Sequence, residues 1–380
     1  MVDQRFFSIF DLGSSKIRIG VFDDALPNSK VCKEILYQSD FSGNKIKFEK
    51  KKNMINELIL NIEKETDQHL KNSSVMVDDK SVFSVDLSIK KKLDKISINE
   101  SLEKNLIQEA KTLIEKNYYT FKIIHILINE YSIDGEKFNE IPKENKIDEL
   151  VIELKFILMP DFIVNDLREV FKANQISISK IFVSSYIKSL DYIKNFNKYE
   201  IKAFIDIGFE KTTFIVFKKN KLYHFKNVPI GGKHITKDIS KILNLDFNKS
   251  EEIKKRLKQS NTILDNNENN DLLIKIIHAR VEEIIDLSFK GVDHLDILKN
   301  KKSVLIFTGE GSKILSRNSI YLKEDYNFFD DMNFFEESAE IIASAGYNYV
   351  TSEKEGEATI IPKTHKNRGF FEKLFYLVGK

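Results

Sequence analysis

Apolar and polar positions alternate along the first part of the chain in a way that predicts a small α/β unit. Residues 6–23 form two runs of β-branched and aromatic residues broken at Gly13-Ser14-Ser15, which is typical of a β-hairpin. We expect a third strand at about 30–40. Apolar residues recur at helical spacing between Met54 and Leu70, which predicts an amphipathic helix with one face on the sheet, and a short strand near 75–77 completes the unit.

A different pattern begins at about residue 81 and interrupts this unit. It predicts a separate strand-helix-strand-strand module. The module consists of strands at 82–89, 121–131 and 150–159 and a helix at 102–114. After it, Pro160 precedes a new helix for which Asp161 is a candidate N-cap, and a strand at 181–184 returns the chain to the first sheet.

The second half of the chain repeats an α/β pattern from Ala203 to about Val350. A polar, helical insert at 247–300 interrupts this pattern. Residues 351–366 are polar and aperiodic, as expected of a linker, and a final cluster of large apolar residues follows. Because 380 residues are too many for one compact core, we expect two or more domains.

Composition excludes several classes of function. The 60 basic and 58 acidic residues nearly cancel, so nothing requires nucleic acid as a partner. A single cysteine, Cys32, forbids an intramolecular disulfide, and the seven His residues show no pair at metal-ligand spacing. No apolar stretch has the length of a signal peptide or a membrane span. We therefore expect a cytoplasmic protein that does not cross the membrane.

An internal repeat carries the candidate chemistry. The segments IFDLGSSKIRIGVF at 9–22 and FIDIGFEKTTFIVF at 204–217 share Asp-apolar-Gly and then an apolar strand that ends in Phe. Either segment alone is explained by an ordinary hairpin glycine beside a turn aspartate. Two copies half a chain apart instead predict a duplicated α/β domain.

The repeated turns suit a phosphate group and a magnesium ion. Gly13 and Gly208 permit positive φ and a close approach of backbone N–H groups to an anion. The hydroxyl groups that add donors belong to Ser14, Ser15, Thr212 and Thr213. Asp11 and Asp206 suit a Mg²⁺ ion that keeps most of its waters, and we expect them to face each other across a cleft.

Two more glycine turns predict the remainder of a nucleotide site. Gly231-Gly232 follows a strand and leads into a helix, and a buried strand at 304–308 is followed by Gly309-Glu310-Gly311-Ser312. A strand, a glycine turn and a helix N-terminus form the geometry that receives phosphates and ribose. As isolated motifs, both are equally well explained as plain turns.

In the order of these motifs the chain resembles the actin, Hsp70 and sugar-kinase superfamily, and more closely the FtsA family of cell-division proteins. The closer resemblance covers nearly the whole chain and rests on the inserted module, the string 235–239, the helical segment 279–284 and a detached amphipathic tail. It implies an α/β fold of actin-like, duplicated ribonuclease-H-type domains. It also implies ATP and Mg²⁺ as cofactors, with weak or no ATPase activity.

The resemblance further implies a nucleotide site built from both halves. Glu251 and Lys254 would flank the nucleoside, and the turn at 309–312 would hold the adenosine. The predicted nucleotide-binding residues are Asp11, Gly13, Ser14, Ser15, Lys16, Asp206, Gly208, Thr212, Thr213, Gly231, Gly232, Glu251, Lys254, Gly309, Gly311 and Ser312. Of these, Asp11 and Asp206 would reach Mg²⁺ through water.

The chain departs from the FtsA pattern at three places. The second hairpin carries Phe209-Glu210-Lys211 where the family is rich in glycine. Glu310 stands where a second glycine is usual, and Ser184-Ser185 replace a frequent Glu-Pro. The first two of these departures put charged side chains near the predicted phosphate positions.

The implied domain organisation is that of an actin-like protein with small insertions. The first actin-like domain would comprise 1–80 and 161–200, and the second 201–246 and 301–350. The inserted module would be 81–160, a small helical insert 247–300, a linker 351–366 and a membrane-targeting helix 367–380.

The implied function is to polymerise on the inner membrane face and tether the division ring to the membrane. Partners would be further copies of the chain, the tubulin-like protein FtsZ, other division proteins on the inserted module, and an anionic membrane surface. The protein would then be peripheral, on the cytoplasmic face of the inner membrane at the division site. Nucleic acid is not among the expected partners.

Two other functions of the same fold remain alternatives. An actin-like adaptor of pilus assembly also carries a small inserted module, but it has no membrane-binding tail of its own. A sugar or acetate kinase needs a general base for the acceptor hydroxyl, and no carboxylate is recognisable in that role. An Hsp70-like chaperone is excluded because too little chain follows the second domain for a β-rich substrate domain.

The segment at 367–380, NRGFFEKLFYLVGK, predicts a short amphipathic helix. Its apolar face consists of Phe370, Phe371, Leu374, Phe375, Leu377 and Val378, and Lys373 lies on the polar side. Such a stripe can be buried in a protein core. At the end of a polar linker it instead favours anchoring at a membrane surface, where apolar burial and basic residues near anionic lipid both stabilise binding.

Overall fold

The structure is a computed structural model that describes residues 6–23, 26–36, 44–97, 100–142, 146–256, 267–292, 302–315, 320, 322–352 and 357–358. The strands, in chain order, are β1 (Phe6–Leu12), β2 (Lys16–Asp23), β3 (Leu26–Leu36), β4 (Asn72–Val77), β5 (Phe83–Ser97), β6 (Phe121–Ile133), β7 (Glu136–Phe138), β8 (Lys146–Pro160), β9 (Ser177–Val183), β10 (Ile201–Ile207), β11 (Thr212–Lys218), β12 (Lys221–Val228), β13 (Ser303–Thr308) and β14 (Asp331–Phe334). The α-helices are α1 (Asn44–Thr66), α2 (Glu100–Asn117), α3 (Asp161–Ala173), α4 (Ser184–Tyr192), α5 (Gly232–Ile242), α6 (Phe247–Arg256), α7 (Asn267–Phe289) and α8 (Ala339–Thr351).

Two five-stranded sheets have the same topology, as expected of a duplicated domain. The first has the order β3-β2-β1-β4-β9 and the second the order β12-β11-β10-β13-β14. In each sheet three antiparallel strands follow one another, and two later strands then add in parallel beside the first. The predicted actin-like α/β fold is therefore confirmed, and each repeated Asp-x-Gly turn lies at the same place in its own sheet.

The inserted module is a separate four-stranded antiparallel sheet of order β5-β8-β6-β7, with α2 packed on it. The short strand β7 was absent from the sequence prediction. It forms because Asp134 and Gly135 both have positive φ, of 50° and 88°, which closes a tight hairpin after β6. The module rests on both halves of the molecule, because β6 contacts β9 of the first sheet while β5 and β6 contact β12 of the second.

Helix α4 lies between the two five-stranded sheets and contacts β4, β9 and β11. One buried apolar cluster accordingly contains residues from both sheets, such as Ile9 and Phe10 of the first and Phe204 and Phe217 of the second. Polar side chains on α4 are thereby held between the two repeated hairpins.

Helix α8 follows the second sheet in sequence but packs on the first. A Cβ at Gly20 would lie 2.5 Å from Cβ of Ala343, and a Cβ at Gly346 would lie 2.6 Å from Cγ2 of Ile9. The two glycines therefore permit the close approach of α8 to β1 and β2. This contact joins α8, which lies near the end of the described residues, to β1 and β2 near their beginning.

The prediction that Asp161 caps α3 is wrong. Pro160 occupies the N-cap position without a side-chain cap, and Asp161 is the first helical residue. Its carboxylate instead lies 3.4 Å from Nζ of Lys122 and adds a negative charge to the first turn, where the helix dipole favours it. None of the described helices combines the length and the apolar composition needed to cross a bilayer.

Candidate functional site

The two hairpins bring their aspartates to equivalent strand ends. Asp11 lies opposite Arg18 in the β1–β2 register, and Asp206 lies opposite Thr213 in the β10–β11 register. Both aspartates are buried, with 4% and 6% of their surface exposed. Since a buried carboxylate is costly without partners, the contacts of these two side chains decide what the cleft can bind.

Both oxygens of Asp11 are engaged by the protein. Its Oδ2 lies 2.7 Å from Nη1 of Arg18, and its Oδ1 accepts a hydrogen bond of 2.7 Å from the hydroxyl of Ser184 at the start of α4. Burial lowers the pKa of the Arg18 guanidinium, but the charge of Asp11 more than compensates and the pKa is raised. Arg18 is therefore a buried, permanent cation at the first hairpin.

Asp206 has a buried cation of its own. Nζ of Lys188 on α4 lies 3.1 Å from Oδ2 of Asp206 and 3.0 Å from Oε1 of Glu337, which precedes α8. Burial lowers the pKa of Lys188, but Asp206, Glu337 and then Asp11 raise it above its usual value. Tyr192 donates to Glu337 at 3.1 Å. Lys188 thus remains charged between the two hairpins.

A third ion pair joins the halves beside the first two. Asp78, just after β4, lies 3.4 Å from Nζ of Lys211 in the second hairpin. The amide and the hydroxyl of Ser185 donate to Asp78 at 2.9 and 3.0 Å. Burial nevertheless raises the pKa of Asp78, with Lys211 lowering it and Asp206 raising it further. Asn227 extends the link by donating to the backbone carbonyl of Val82 at 2.7 Å.

Glu310 forms ion pairs with both halves of the molecule. Its Oε1 lies 3.1 Å from Nζ of Lys16 and 3.4 Å from Nη2 of Arg18, both in the first hairpin, and 3.0 Å from Nζ of Lys313. Burial raises the pKa of Glu310, but the lysines outweigh it and hold the pKa below its usual value. Glu310 is therefore a link between the first hairpin and the turn at 309–312.

The glycine turns of the second half pack directly on one another. A Cβ at Gly231 would lie 2.5 Å from the carbonyl oxygen of Gly208, and a Cβ at Gly311 would lie 2.8 Å from the carbonyl oxygen of Ile207. Gly309 has φ of 86°, and a Cβ there would lie 2.4 Å from Oδ1 of Asp206. Only glycine allows these three backbone segments to meet.

The predicted nucleoside residues form a compact group beside these turns. Nζ of Lys254 donates to the carbonyl of Gly232 at 3.0 Å, to Oγ1 of Thr236 at 2.8 Å and to Oε2 of Glu251 at 2.6 Å. Burial lowers the pKa of Lys254, although Glu251 opposes the shift. The ring of Phe209 lies 5.8 Å from the same Nζ, measured to its centroid. An aromatic face, an ammonium and a carboxylate therefore adjoin the start of α5.

Several predicted donors serve the protein itself. The hydroxyl of Thr212 donates to the carbonyl of Ile230 at 2.7 Å, and that of Thr213 donates to Oδ1 of Asn227 at 2.8 Å. Ser312 donates to the carbonyl of Gly309 at 2.8 Å. At the first hairpin the turn residues 13–16 are half-buried. The predicted membrane residues 370–378 lie outside the described residues.

Sequence reasoning missed the cations of the cleft, Arg18 and Lys188. It also missed Glu337, which pairs with Lys188, and Asp78, which pairs with Lys211. Arg18 was within reach, because a hairpin that turns at 13–15 places it opposite Asp11. Lys188 carries no local signal. It lies in an ordinary helical pattern, and its role arises only from the packing of α4 between the sheets.

The residues of the cleft fit a nucleotide in part. Half-buried turn residues, Lys16 and the group around Lys254 suit phosphates and a nucleoside. Mg²⁺ held by Asp11 and Asp206 does not fit, because each carboxylate already has a buried cation within 3.1 Å or less. Within the described residues, no three His, Cys, Asp or Glu side chains form a metal-binding group.

Similarity to known proteins is found in the second half of the sequence and in the fold as a whole. A family model described as "Cell division protein FtsA" matches residues 203–313. The cell division protein FtsA of Bacillus subtilis is 26% identical over 181 residues, which is 43% of this chain and 41% of that protein. FtsA of Helicobacter pylori is 24% identical over 132 residues, or 35% of this chain and 27% of that protein. The chain thus spans less than half the length of these curated relatives.

Among solved structures, one described as the PilM-PilN type IV pilus biogenesis complex superposes with a TM-score of 0.63 at 14% identity, covering 92% of this chain and 99% of that one. At this identity the likeness concerns the fold alone. The matches and the duplicated sheets together make this an FtsA-like chain with an actin-like fold. The matched residues 203–313 contain the second hairpin, α5, Lys254 and the turn at 309–312.

Proposed function

We propose that this chain is an actin-like cell-division protein that binds ATP between its two hairpins, polymerises, and tethers the division ring to the inner membrane. The observation that carries the proposal is the coincidence of two independent features. The FtsA match at 203–313 falls on the hairpin and glycine turns of the second sheet, and the first sheet repeats their topology.

ATP is the proposed ligand because proteins of the actin-like ATPase fold generally bind a nucleotide with Mg²⁺. The nucleoside would lie near Glu251, Lys254 and the turn at 309–312, and the phosphates near the two hairpins. In this position the turn of the first hairpin would donate its backbone N–H groups and its serine hydroxyls to the phosphates.

Binding rather than hydrolysis is the proposed use of the nucleotide. A general base must present a free carboxylate or imidazole to the attacking water. The described carboxylates between the halves each have a protein partner: Asp11, Asp78, Asp206, Glu310 and Glu337. We therefore expect an ATPase that is weak or absent.

The inserted module at 81–160 is the proposed surface for copies of the chain and for other division proteins. It forms its own sheet and its own apolar core. A module of this kind can exchange contacts with a partner without disturbing the nucleotide.

Membrane attachment rests on the sequence of 367–380. Each large apolar side chain on its apolar face would contribute roughly 1.5 to 3 kcal/mol when buried in lipid. Several such helices on one polymer would multiply the avidity. The protein would then act peripherally at the cytoplasmic face of the inner membrane, at the division site.

Co-sedimentation with vesicles and FtsZ tests this proposal. The purified chain, vesicles rich in anionic lipid and FtsZ of the same cell are mixed with ATP and centrifuged. We expect FtsZ to pellet with the vesicles only when the chain is present, and Phe371→Glu to leave both proteins in the supernatant. If FtsZ stays in the supernatant while the chain itself pellets, the tethering function is excluded.

A pilus-assembly adaptor is the second candidate, and the structural likeness to a PilM-PilN complex favours it. Such an adaptor would bind another pilus-assembly protein and would need no lipid-binding tail. In the same experiment it would pellet with vesicles only when those vesicles contain its membrane-bound partner.

A further inference from the structure

We infer that Arg18 and Lys188 stand in the two places where a divalent ion would otherwise act, so that Mg²⁺ has no site between the hairpins. The inference rests on the proposed function only in placing the ligand in this cleft. A nucleotide bound here would bind as the metal-free anion.

Three of the four carboxylate oxygens of Asp11 and Asp206 already face protein donors. Asp11 is engaged on both oxygens, by Arg18 at 2.7 Å and by Ser184 at 2.7 Å. Asp206 is engaged by Lys188 at 3.1 Å on Oδ2. Mg²⁺ needs near-octahedral room for its ligands and waters, and at each carboxylate a buried cation already occupies part of that room.

Charge also opposes a metal at this place. A divalent ion at Asp11 or Asp206 would lie beside a guanidinium or an ammonium that is itself buried. Repulsion between like charges is strong in a region of low dielectric constant.

Neither cation can move aside without leaving other charges uncompensated. Lys188 also pairs with Glu337 at 3.0 Å, and Arg18 also pairs with Glu34 at 3.2 Å. If Lys188 rotated out of the cleft, Asp206 and Glu337 would both be buried without a cation. Such uncompensated buried charges are strongly destabilising. The two cations are therefore fixed parts of the cleft.

Three proteins test the inference: the wild type, Lys188→Met and Lys194→Met. Lys194 is the matched control, because it is close in sequence but has an exposed side chain. Mn²⁺, used as the probe for Mg²⁺, is titrated into each protein and followed by electron paramagnetic resonance. We expect no saturable Mn²⁺ binding by the wild type or by Lys194→Met. Lys188→Met should gain a Mn²⁺ site, because Asp206 and Glu337 then lack their cation.

The affinity for ATP, measured by calorimetry in EDTA and in excess Mg²⁺, supplies the second readout. Because excess Mg²⁺ withdraws metal-free ATP, we expect the apparent affinity of the wild type to be higher in EDTA than in excess Mg²⁺. A tenfold or greater loss of affinity in EDTA would overturn the inference while supporting ATP binding. So would saturable Mn²⁺ binding by the wild type that Asp206→Asn abolishes.

The remaining outcomes are also decisive. If the wild type binds no ATP in either buffer, the nucleotide part of the proposed function fails, and the Mn²⁺ titration still decides the inference. If Lys188→Met does not fold, Arg18→Gln replaces it in the experiment, because that variant removes the cation beside Asp11. A folded variant that gains no Mn²⁺ site shows that the cations do not stand where a metal would, and the inference is then wrong.

Discussion

Nζ of Lys188 lies 3.1 Å from Oδ2 of Asp206, and this ion pair joins the first half of the molecule to the second. Lys188 lies on α4, which directly follows β9 of the first sheet, and Asp206 lies near the end of β10, the central strand of the second sheet. The same ammonium pairs with Glu337. This buried cation is therefore one of the links between the two halves.

Replacing Lys188 with Met should lower the free energy of unfolding by roughly 3 to 5 kcal/mol, because it leaves buried carboxylates uncompensated. Urea denaturation measures the change. Lys194→Met is the control, since the Lys194 side chain is 67% exposed and an exposed ion pair contributes only about 0 to 1 kcal/mol. Equal losses in the two variants would show that the Lys188 pairs contribute no special stability.

Gly309 is predicted to be irreplaceable for two separable reasons. Its φ of 86° is strained for other residues, and a Cβ would lie 2.4 Å from Oδ1 of Asp206. Gly291 has φ of 71° but no atom within 4 Å of its would-be Cβ. Gly291→Ala should therefore cost only about 1 to 2 kcal/mol of backbone strain. Gly309→Ala should cost more and abolish ATP binding. Thermal denaturation measures the loss of stability in each variant, and calorimetry measures ATP binding. Equal losses of stability would mean that crowding at Asp206 is unimportant.

The features of this fold and site that could be predicted are those that neighbouring residues encode. The hairpins, the glycine turns and the module each depend on a short stretch of sequence, so Asp11, Asp206 and Gly309 could be found from the sequence pattern alone. The partners of those residues depend on packing between distant elements. Nothing near Lys188 indicates that α4 enters the cleft.

The position of α8 was equally hidden in the sequence. Nothing near Gly346 indicates that α8 crosses to the first sheet, where it meets Ile9. That contact joins residues from opposite ends of the described chain, which no local pattern can report.

Acid should destabilise the fold partly through His224 on β12. Burial, with the charges of Lys155 and Lys226, lowers the pKa of His224 from 6.5 to about 4. The unfolded chain takes up a proton as the pH falls through 6.5, whereas the folded protein does so only near 4. The stability that neutral His224 contributes is thus complete above pH 6.5 and is lost between 6.5 and about 4. Urea denaturation gives the free energy of unfolding at each pH. Across this range it should fall less steeply with decreasing pH in His224→Phe than in the wild type. An unchanged slope would contradict the assignment.

The end of the described chain is anchored to the inserted module through Glu357. Its Oε1 lies 3.0 Å from Nδ1 of His125, and the hydroxyl of Tyr349 donates to the same carboxylate. Because Nε2 of His125 accepts from the amide of Val183 at 3.1 Å, the neutral ring carries its proton on Nδ1, which donates to this network. The amide of Ala358 adds a hydrogen bond of 2.9 Å to the carbonyl of Ile126.

Glu357→Ala should free this anchor and lower stability by roughly 1 to 3 kcal/mol, the cost of buried polar groups left without a partner. Hydrogen exchange at the amide of Ala358 should accelerate. Glu340→Ala is the control, since Glu340 is exposed on α8. Protection at Ala358 that survives in Glu357→Ala would mean that the backbone bridge alone holds the segment.

Electron cryomicroscopy of the protein with ATP on an anionic lipid monolayer tests whether the chain forms actin-like polymers on a membrane. We expect filaments on the lipid whose subunits touch through the module at 81–160, and Phe371→Glu should remove them from the surface. Separate particles at every protein concentration, or filaments that bind lipid equally well with Phe371→Glu, would contradict it.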